Sequence, residues 1–167
     1  MSMRSTKLVM QHRPSRRPYS VQVFLVARVM DRLAYLLFLR HPKPKLGLPA
    51  FWQGVSGALE AGESFEQAAV REVLEESQMS VQEVYYTHFT RFFPIREEWR
   101  SAYGQGPTEV EERVFYAVAP AITEPVLSAE HQAWRWCTFE EADALLEFGA
   151  NRQCLHAVEK CFIHNEE

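Results

Sequence analysis

Three glutamates near the middle of the chain are spaced so that they could bind one metal ion. Glu72, Glu75 and Glu76 lie in a run of helix-forming residues, and an α-helix turns by about 100° per residue. Glu72 and Glu76 therefore point within roughly 40° of each other, and Glu75 lies about 60° to the other side of Glu72. Like charges at this spacing repel, whereas Mg²⁺ prefers carboxylate oxygens. The spacing indicates a cation site, with a solvated acidic helix face as the alternative.

The loop before this helix favours the cation site. Gly57 and Gly62 allow backbone to come close to the start of the helix, and Glu63 stands where it could pair with Arg71. A solvated acidic face needs neither a close backbone approach nor a fastened loop. We therefore interpret the loop and the helix as one unit.

This unit resembles the Nudix box, the signature of the Nudix hydrolase family. The box reads G-x5-E-x7-R-E-U-x-E-E-x-G-U, with U a bulky aliphatic residue, and the chain matches it at Gly57, Glu63, Arg71, Glu72, Val73, Glu75, Glu76 and Met79. The one departure is Gln78, which replaces the last glycine. A left-handed residue is convenient after a helix, and glutamine there should cost about 1 kcal/mol of strain. Because this position carries no catalytic group, the departure bears on stability more than on activity.

The resemblance implies an α/β protein, a Nudix-type α/β/α sandwich with a mixed β-sheet. It also implies Mg²⁺ as the cofactor, with Mn²⁺ possible, on the carboxylates of the box. Glu72 and Glu76 would be the principal ligands, and Glu75 would be a ligand or the base that orients water. In this family the backbone carbonyl of Ser56 commonly joins the metal shell.

The resemblance further implies how the loop is held and what the site does. Arg71 and Glu63 would fasten the loop beside Gly57 against the helix, and we count Arg71 with the glutamates in the catalytic set. The reaction would be substitution at phosphorus by water. The metal would neutralise the bridging phosphates and lower the pKa of the attacking water.

Outside the box, short segments resemble the subgroup that includes bacterial dihydroneopterin triphosphate pyrophosphohydrolases. They are Arg17 to Val21, Phe51 to Gln53, Glu130-His131 and Asn151 to Gln153. Glu130 is the carboxylate that we expect to serve as a further metal ligand or general base, with a solvated loop acid as the alternative. We interpret His131 as structural rather than catalytic.

Three further residues are candidates for substrate binding. Arg40 ends a predicted strand and could bind a phosphate through two hydrogen bonds, or form a surface salt bridge instead. Arg16 has a similar claim. Trp52 could stack on a base or pterin ring, or it could be buried in the core. Glu112, in an acidic cluster before a strand, could face the metal if strand alternation turns it that way.

The elements that must position these residues are strands and helices of one mixed domain. Hydrophobic runs predict strands at Val21–Ala27, Ala34–Leu39, Phe51–Gly57, Arg113–Val118 and Ala133–Cys137. Ser64 and Gln67 predict a capping box for the box helix. Thr138 and Asn151 are predicted to cap the two later helices. Pro94 to Thr108 is an insertion that we expect to shape specificity.

Length, charge and cysteine content indicate the domain organisation, the expected partners and the cellular compartment. A chain of 167 residues with a net charge of −4 predicts a single domain over 16–167, after a flexible basic segment at 1–15, and no nucleic-acid or membrane partner. No apolar run approaches the roughly 20 residues needed to span a bilayer. Cys137, Cys154 and Cys161 suit ordinary thiols in a reducing, cytoplasmic compartment.

The predicted function is Mg²⁺-dependent hydrolysis of a pyrophosphate bond in a nucleoside-diphosphate-linked substrate. A pterin or purine nucleoside triphosphate, cleaved to monophosphate and pyrophosphate, is our first reading. The alternatives are a dinucleoside polyphosphate hydrolase, a Nudix domain that senses nucleotides without hydrolysis, and an interaction module that uses the basic N-terminal segment. The sequence leaves the oligomeric state open.

Overall fold

The computed structural model describes residues 15 to 163. The predicted flexible segment at 1–15 falls almost entirely outside that range, so this prediction stays a prediction. No helix within residues 15–163 is long and apolar enough to cross a membrane. Cys137, Cys154 and Cys161 are all free thiols, as the sequence predicts.

Residues 15–163 form a seven-stranded mixed sheet whose central strand is the first one. The main strand order is β3-β2-β1-β6-β5, with β4 paired to β1 and β7 paired to β2. Only the pairing of β1 with β6 is parallel. The strands are β1 (Tyr19–Val29), β2 (Arg32–Arg40), β3 (Phe51–Gln53), β4 (Val55–Ala58), β5 (Tyr85–Pro94), β6 (Glu109–Val118) and β7 (His131–Cys137).

Helices cover both faces of this sheet. The four helices of the described range are α1 (Phe65–Ser77), α2 (Arg100–Tyr103), α3 (Phe139–Leu145) and α4 (Gly149–Ile163). The long helix α1 packs on one face, and α3 and α4 pack on the other. The predicted α/β/α sandwich with a mixed sheet is confirmed.

The unbroken hydrophobic run of β1 follows from its central position. Val21, Val23 and Leu25 point into the core beneath α1, whereas Phe24 and Val26 point into the core beneath α3 and α4. A strand that is buried on both faces shows no alternation of polar and apolar residues. The same alternation decides, on each strand, which side chains reach the functional site.

The capping predictions hold for two helices and fail for the third. Ser64 with Gln67, and Thr138 with Glu141, form complete capping boxes at α1 and α3. The prediction for Asn151 is wrong, because α4 begins at Gly149 and includes Asn151 in its first turn. Its side-chain oxygen accepts a 3.1 Å hydrogen bond from Arg91 of β5 instead. The side-chain oxygen of Asn151 therefore binds Arg91 of β5 and does not cap the backbone of α4.

Gln78 ends α1 in the left-handed conformation that the sequence predicts for this position, with φ of 61°. Its backbone N–H donates to the carbonyl of Leu74, and the side chain is exposed. We expect Gln78→Gly to raise the free energy of unfolding by roughly 0.5–1 kcal/mol, because glycine adopts this conformation without the Cβ penalty. Urea denaturation would measure the change. Gln78→Ala, which keeps a Cβ, should give no gain, and an equal gain from alanine would contradict the explanation.

Candidate active site

A cleft of about 540 Å³ gathers most of the side chains that the sequence singles out. It lies over the end of β4, the C-terminal half of α1, the end of β2 and the residues before β1. The predicted site residues that line it are Arg16, Arg40, Ser56, Gly57, Arg71, Glu72, Glu75, Glu76 and Glu130. Five separate parts of the chain therefore contribute to one site.

Arg71 is the hydrogen-bonding centre of the carboxylate side of the cleft. Its Nε and Nη2 atoms donate to the two carboxylate oxygens of Glu63, at 2.7 and 2.8 Å. Nη2 also donates to the carbonyl of Ala58 at 2.9 Å. Nη1 donates to Glu72 at 2.8 Å and to Glu75 at 3.2 Å. One guanidinium thus fastens the loop to α1 and orients two of the acidic side chains.

These contacts shift the pKa values of the groups in opposite directions. The hydrogen bonds from Arg71 lower the pKa of Glu63, and the same bonds raise the pKa of Arg71. Burial raises the pKa of Glu72 to about 7 despite its contact with Arg71, and the negative charges of Glu75 and Glu76 add to this rise. Burial therefore outweighs the ion pair with Arg71 in setting the pKa of Glu72.

Gly57 is needed because the carboxyl group of Glu72 lies against its backbone. A Cβ atom at residue 57 would fall 2.1 Å from the carboxyl carbon and Oε1 of Glu72. Any larger residue would push this carboxylate out of its position. The first glycine of the box thus acts through close packing, and not through an unusual backbone angle.

Glu76 is held from the loop that precedes β7. The hydroxyl of Ser128 donates to its Oε2 at 2.6 Å. Nδ1 of the buried His131 lies 2.7 Å from the same oxygen, outside the directions of a well-formed hydrogen bond. Burial raises the pKa of Glu76, but the contacts with His131 and Ser128 outweigh it, so the pKa is lowered overall. Nε2 of His131 lies 3.3 Å from the amide nitrogen of Gln53.

The second oxygens of the acidic side chains are available to a cation. Among residues 15–163, hydrogen bonds to Glu72, Glu75 and Glu76 reach one oxygen of each carboxylate, Oε1, Oε2 and Oε2 respectively. Within residues 15–163, no three acidic, histidine or cysteine side chains are already gathered around a single point. The donor chemistry nevertheless fits a hard divalent ion, because the donors are all oxygens and Glu72 and Glu76 each keep one carboxylate oxygen free of hydrogen bonds from the described residues.

A second wall of the cleft is cationic. Arg40, Lys43 and Arg16 line it together with the exposed Glu130. Burial lowers the pKa values of Arg40 and Lys43, the charge of Arg16 lowers both further, and Glu130 raises both. Nε of Arg40 is buried and has no hydrogen-bond partner within residues 15–163. A ligand with negative oxygens would supply what this atom lacks.

Lys43, Gln53 and Ser128 take part in the site, although the sequence did not single them out. Lys43 lies in the proline-rich segment after Arg40, which predicts only a loop. In the structure, Lys43 and Leu48 exchange backbone hydrogen bonds of 2.8 and 3.1 Å, which fix the loop beside the cleft. The alternation of charge and proline in Pro42-Lys43-Pro44-Lys45 is the one signal that could have identified Lys43.

Two of the residues that the sequence analysis proposed for the site lie elsewhere. The Trp52 side chain packs into the core beneath α3 and α4, which is the buried alternative, and does not line the cleft. Its neighbour Phe51 is the aromatic residue beside Arg40, with 5.5 Å between the guanidinium and the ring centre. Glu112 is buried in an ion pair with Arg91, at 2.7 Å, and does not line the cleft either.

Comparison with known proteins identifies the family to which the chain belongs. The family model described as NUDIX domain matches residues 16–158. Dihydroneopterin triphosphate diphosphatase of Escherichia coli is 33% identical over 150 residues, which cover 87% of this chain and 95% of that protein. The structure of the E. coli dihydroneopterin triphosphate pyrophosphohydrolase superposes with a TM-score of 0.69 at 32% identity, covering 85% of this chain and 94% of that one.

A more distant structure shares the fold. An Ap4A hydrolase of C. elegans, solved as a binary complex, has a TM-score of 0.69 at 19% identity and covers 87% of this chain and 98% of its own. At that identity the likeness shows the fold alone. The family model and the E. coli relative both extend over most of the chain, so the chain belongs to the NUDIX domain family and is a Nudix pyrophosphohydrolase.

Proposed function

We propose that the cleft hydrolyses a pterin or purine nucleoside triphosphate to the monophosphate and pyrophosphate, with Mg²⁺ as the cofactor. The observation that carries the proposal is the pairing of an acidic wall with a cationic wall across one cleft of about 540 Å³. Acidic oxygens suit the cation, and the arginines and the lysine suit the phosphate oxygens. The similarity to the E. coli dihydroneopterin triphosphate diphosphatase supports the choice of a triphosphate.

The metal would be held by the carboxylates of α1 and by the neighbouring carbonyl of Ser56. Glu72 and Glu76 would be the main ligands, through the oxygens that Arg71 and Ser128 leave free. When bound, the ion neutralises phosphate charge and lowers the pKa of a coordinated water. Mn²⁺ would fit the same oxygen donors.

The remaining groups of the site would bind the substrate and move the proton. Arg40, with its unpartnered buried Nε, would donate to a phosphate oxygen. Glu75 and Glu130 are exposed carboxylates on the cleft, so either can accept the proton of the attacking water. Glu75, Glu130 and Glu72 line the same cleft, so the general base is to be identified by replacing each of them in turn.

Two alternatives remain within the family. A dinucleoside polyphosphate hydrolase would use the same walls on a longer phosphate chain. A domain that only senses nucleotides is disfavoured, since Glu72, Glu75 and Glu76 are all present and all line the cleft. We propose a small nucleotide-like molecule as the partner, and a cytoplasmic location on the ground of the three free thiols.

A Mg²⁺-dependent phosphate-release screen, with and without inorganic pyrophosphatase, tests the substrate class. We expect dihydroneopterin triphosphate or a purine nucleoside triphosphate to release phosphate only when the pyrophosphatase is present, because the direct product is pyrophosphate. Diadenosine tetraphosphate and nucleotide sugars complete the panel. Best turnover of diadenosine tetraphosphate would replace our proposal with the dinucleoside alternative, and no turnover of any triphosphate would refute it.

Glu76→Gln tests the metal assignment. We expect turnover to fall at least about a hundredfold, because the amide removes a negative charge that the cation needs. Glu66→Gln is the matched control, since Glu66 lies in the first turn of the same helix, is exposed and does not line the cleft. Near-normal turnover of the Glu76 variant would exclude this residue as a principal ligand.

Arg40→Ala tests the cationic wall. We expect KM for the best triphosphate to rise about tenfold, the usual scale for loss of a charged hydrogen bond. Arg32→Ala serves as the control, because Arg32 lies at the far end of the same strand and is exposed. An unchanged KM in the Arg40 variant would show that the phosphates bind elsewhere.

A further inference from the structure

The segment that precedes β1 is fastened at two points, and between them it forms a rim of the cleft. We call residues 15–18 the N-terminal arm. On one side, Nη1 of Arg17 donates to the carbonyl of Glu60 in the box loop at 2.7 Å. On the other side, the backbone N–H of Arg16 donates to the carbonyl of Ala102 in α2 at 3.0 Å. Both arginines line the cleft.

The second point of attachment belongs to the insertion between β5 and β6, residues 95–108. This insertion packs around a small core in which Ile95 and Tyr103 are buried together with Val110 of β6. Trp99 and Ala102 pack against it from outside. The ring of Tyr103 lies beneath the guanidinium of Arg16, 5.8 Å from ring centre to carbon. α2 thus contacts Arg16 through its backbone and through its side chain.

No residue of the insertion lines the cleft, within the part of the chain that the structure describes. Arg16 lines the cleft and contacts Ala102 and Tyr103 of the insertion, so the insertion can affect a bound substrate by holding Arg16. Arg16 lines the cleft together with Arg40 and Lys43, so three cations face the same cavity. Coulomb attraction grows with the charge of the ligand. A polyphosphate chain therefore gains more from a third cation than a single phosphate does.

We propose that Tyr103 is a positioning residue, through which the insertion holds Arg16 in place to bind the phosphate chain of the substrate. This inference rests on the proposed function and deepens it. It assigns to the insertion a preference for polyphosphate chains over single phosphates. The exposed guanidinium of Arg16 has no ion-pair partner among the described residues, so without the ring and the backbone contact its orientation would be free.

Binding of inorganic tripolyphosphate and of inorganic phosphate to the full chain, measured by calorimetry, tests this proposal. Buffer without divalent metal makes the protein cations the only attraction. We expect Arg16→Ala to weaken tripolyphosphate binding about tenfold. Tyr103→Leu should weaken it about three- to fivefold, the scale of an exposed cation–π contact. Tyr103→Phe keeps the ring and should bind as the parent protein does, and phosphate binding should change less in every variant.

Trp99→Leu and the double variant separate positioning from general loosening. Trp99 packs against the same small core, but its ring contacts Arg96 rather than Arg16. Trp99→Leu should therefore leave tripolyphosphate binding unchanged. In the Arg16→Ala background, Tyr103→Leu should have no further effect. Three results would overturn the proposal. Trp99→Leu could weaken tripolyphosphate binding as much as Tyr103→Leu does, or Tyr103→Leu could weaken it equally with and without Arg16. The third is a folded Tyr103→Leu variant that binds tripolyphosphate as the parent protein does. Tripolyphosphate binding can be measured without turnover. If the variants bind tripolyphosphate as expected but no substrate of the phosphate-release screen is hydrolysed, the proposed function alone is refuted.

Discussion

The site depends on a single guanidinium placed among carboxylates. Arg71 donates to Glu63, Glu72 and Glu75 and to the carbonyl of Ala58. Its planar fork can bind both oxygens of Glu63 while its third nitrogen reaches the acidic face of α1. Without that charge, repulsion between neighbouring carboxylates would favour a splayed helix face and a detached loop. A lysine offers a single point charge and could not make these contacts together.

The single guanidinium of Arg71 contacts three carboxylates, those of Glu63, Glu72 and Glu75. Glu72 is buried with a raised pKa, and one oxygen on each of Glu72 and Glu76 is left without a hydrogen bond. An acidic surface built only for solubility would be exposed and hydrated. Here Glu72 and Glu76 are buried, and a divalent cation would offset the cost of desolvating their charges.

The cationic wall completes the site from parts of the chain that are distant in sequence. Arg40 ends β2, Lys43 lies in the following loop, and Arg16 precedes β1. β2 and β4 both pair with β1, and Arg40 at the end of β2 lines the same cleft as Ser56 of β4. The insertion adds a further attachment through Arg16. Arg40, Lys43 and Arg16 form no ion pair with Glu72, Glu75 or Glu76 among the described residues, so these cations stay available to a ligand in the cleft.

The side chains of the box could be predicted from local spacing, and the family and the α/β/α fold from the resemblance that those residues carry. Glu72, Glu75 and Glu76 share a face wherever that segment is helical, and Ser64 caps it with its neighbours alone. Side-chain positions that depend on contacts between distant parts of the chain could be read only from the tertiary structure. Trp52 lies in the core and Phe51 beside Arg40, because strand alternation has two outcomes that only the packed helices distinguish. Asn151 bonds to Arg91 rather than capping α4, and Lys43 reaches the cleft, because in each case the neighbour comes from another part of the chain.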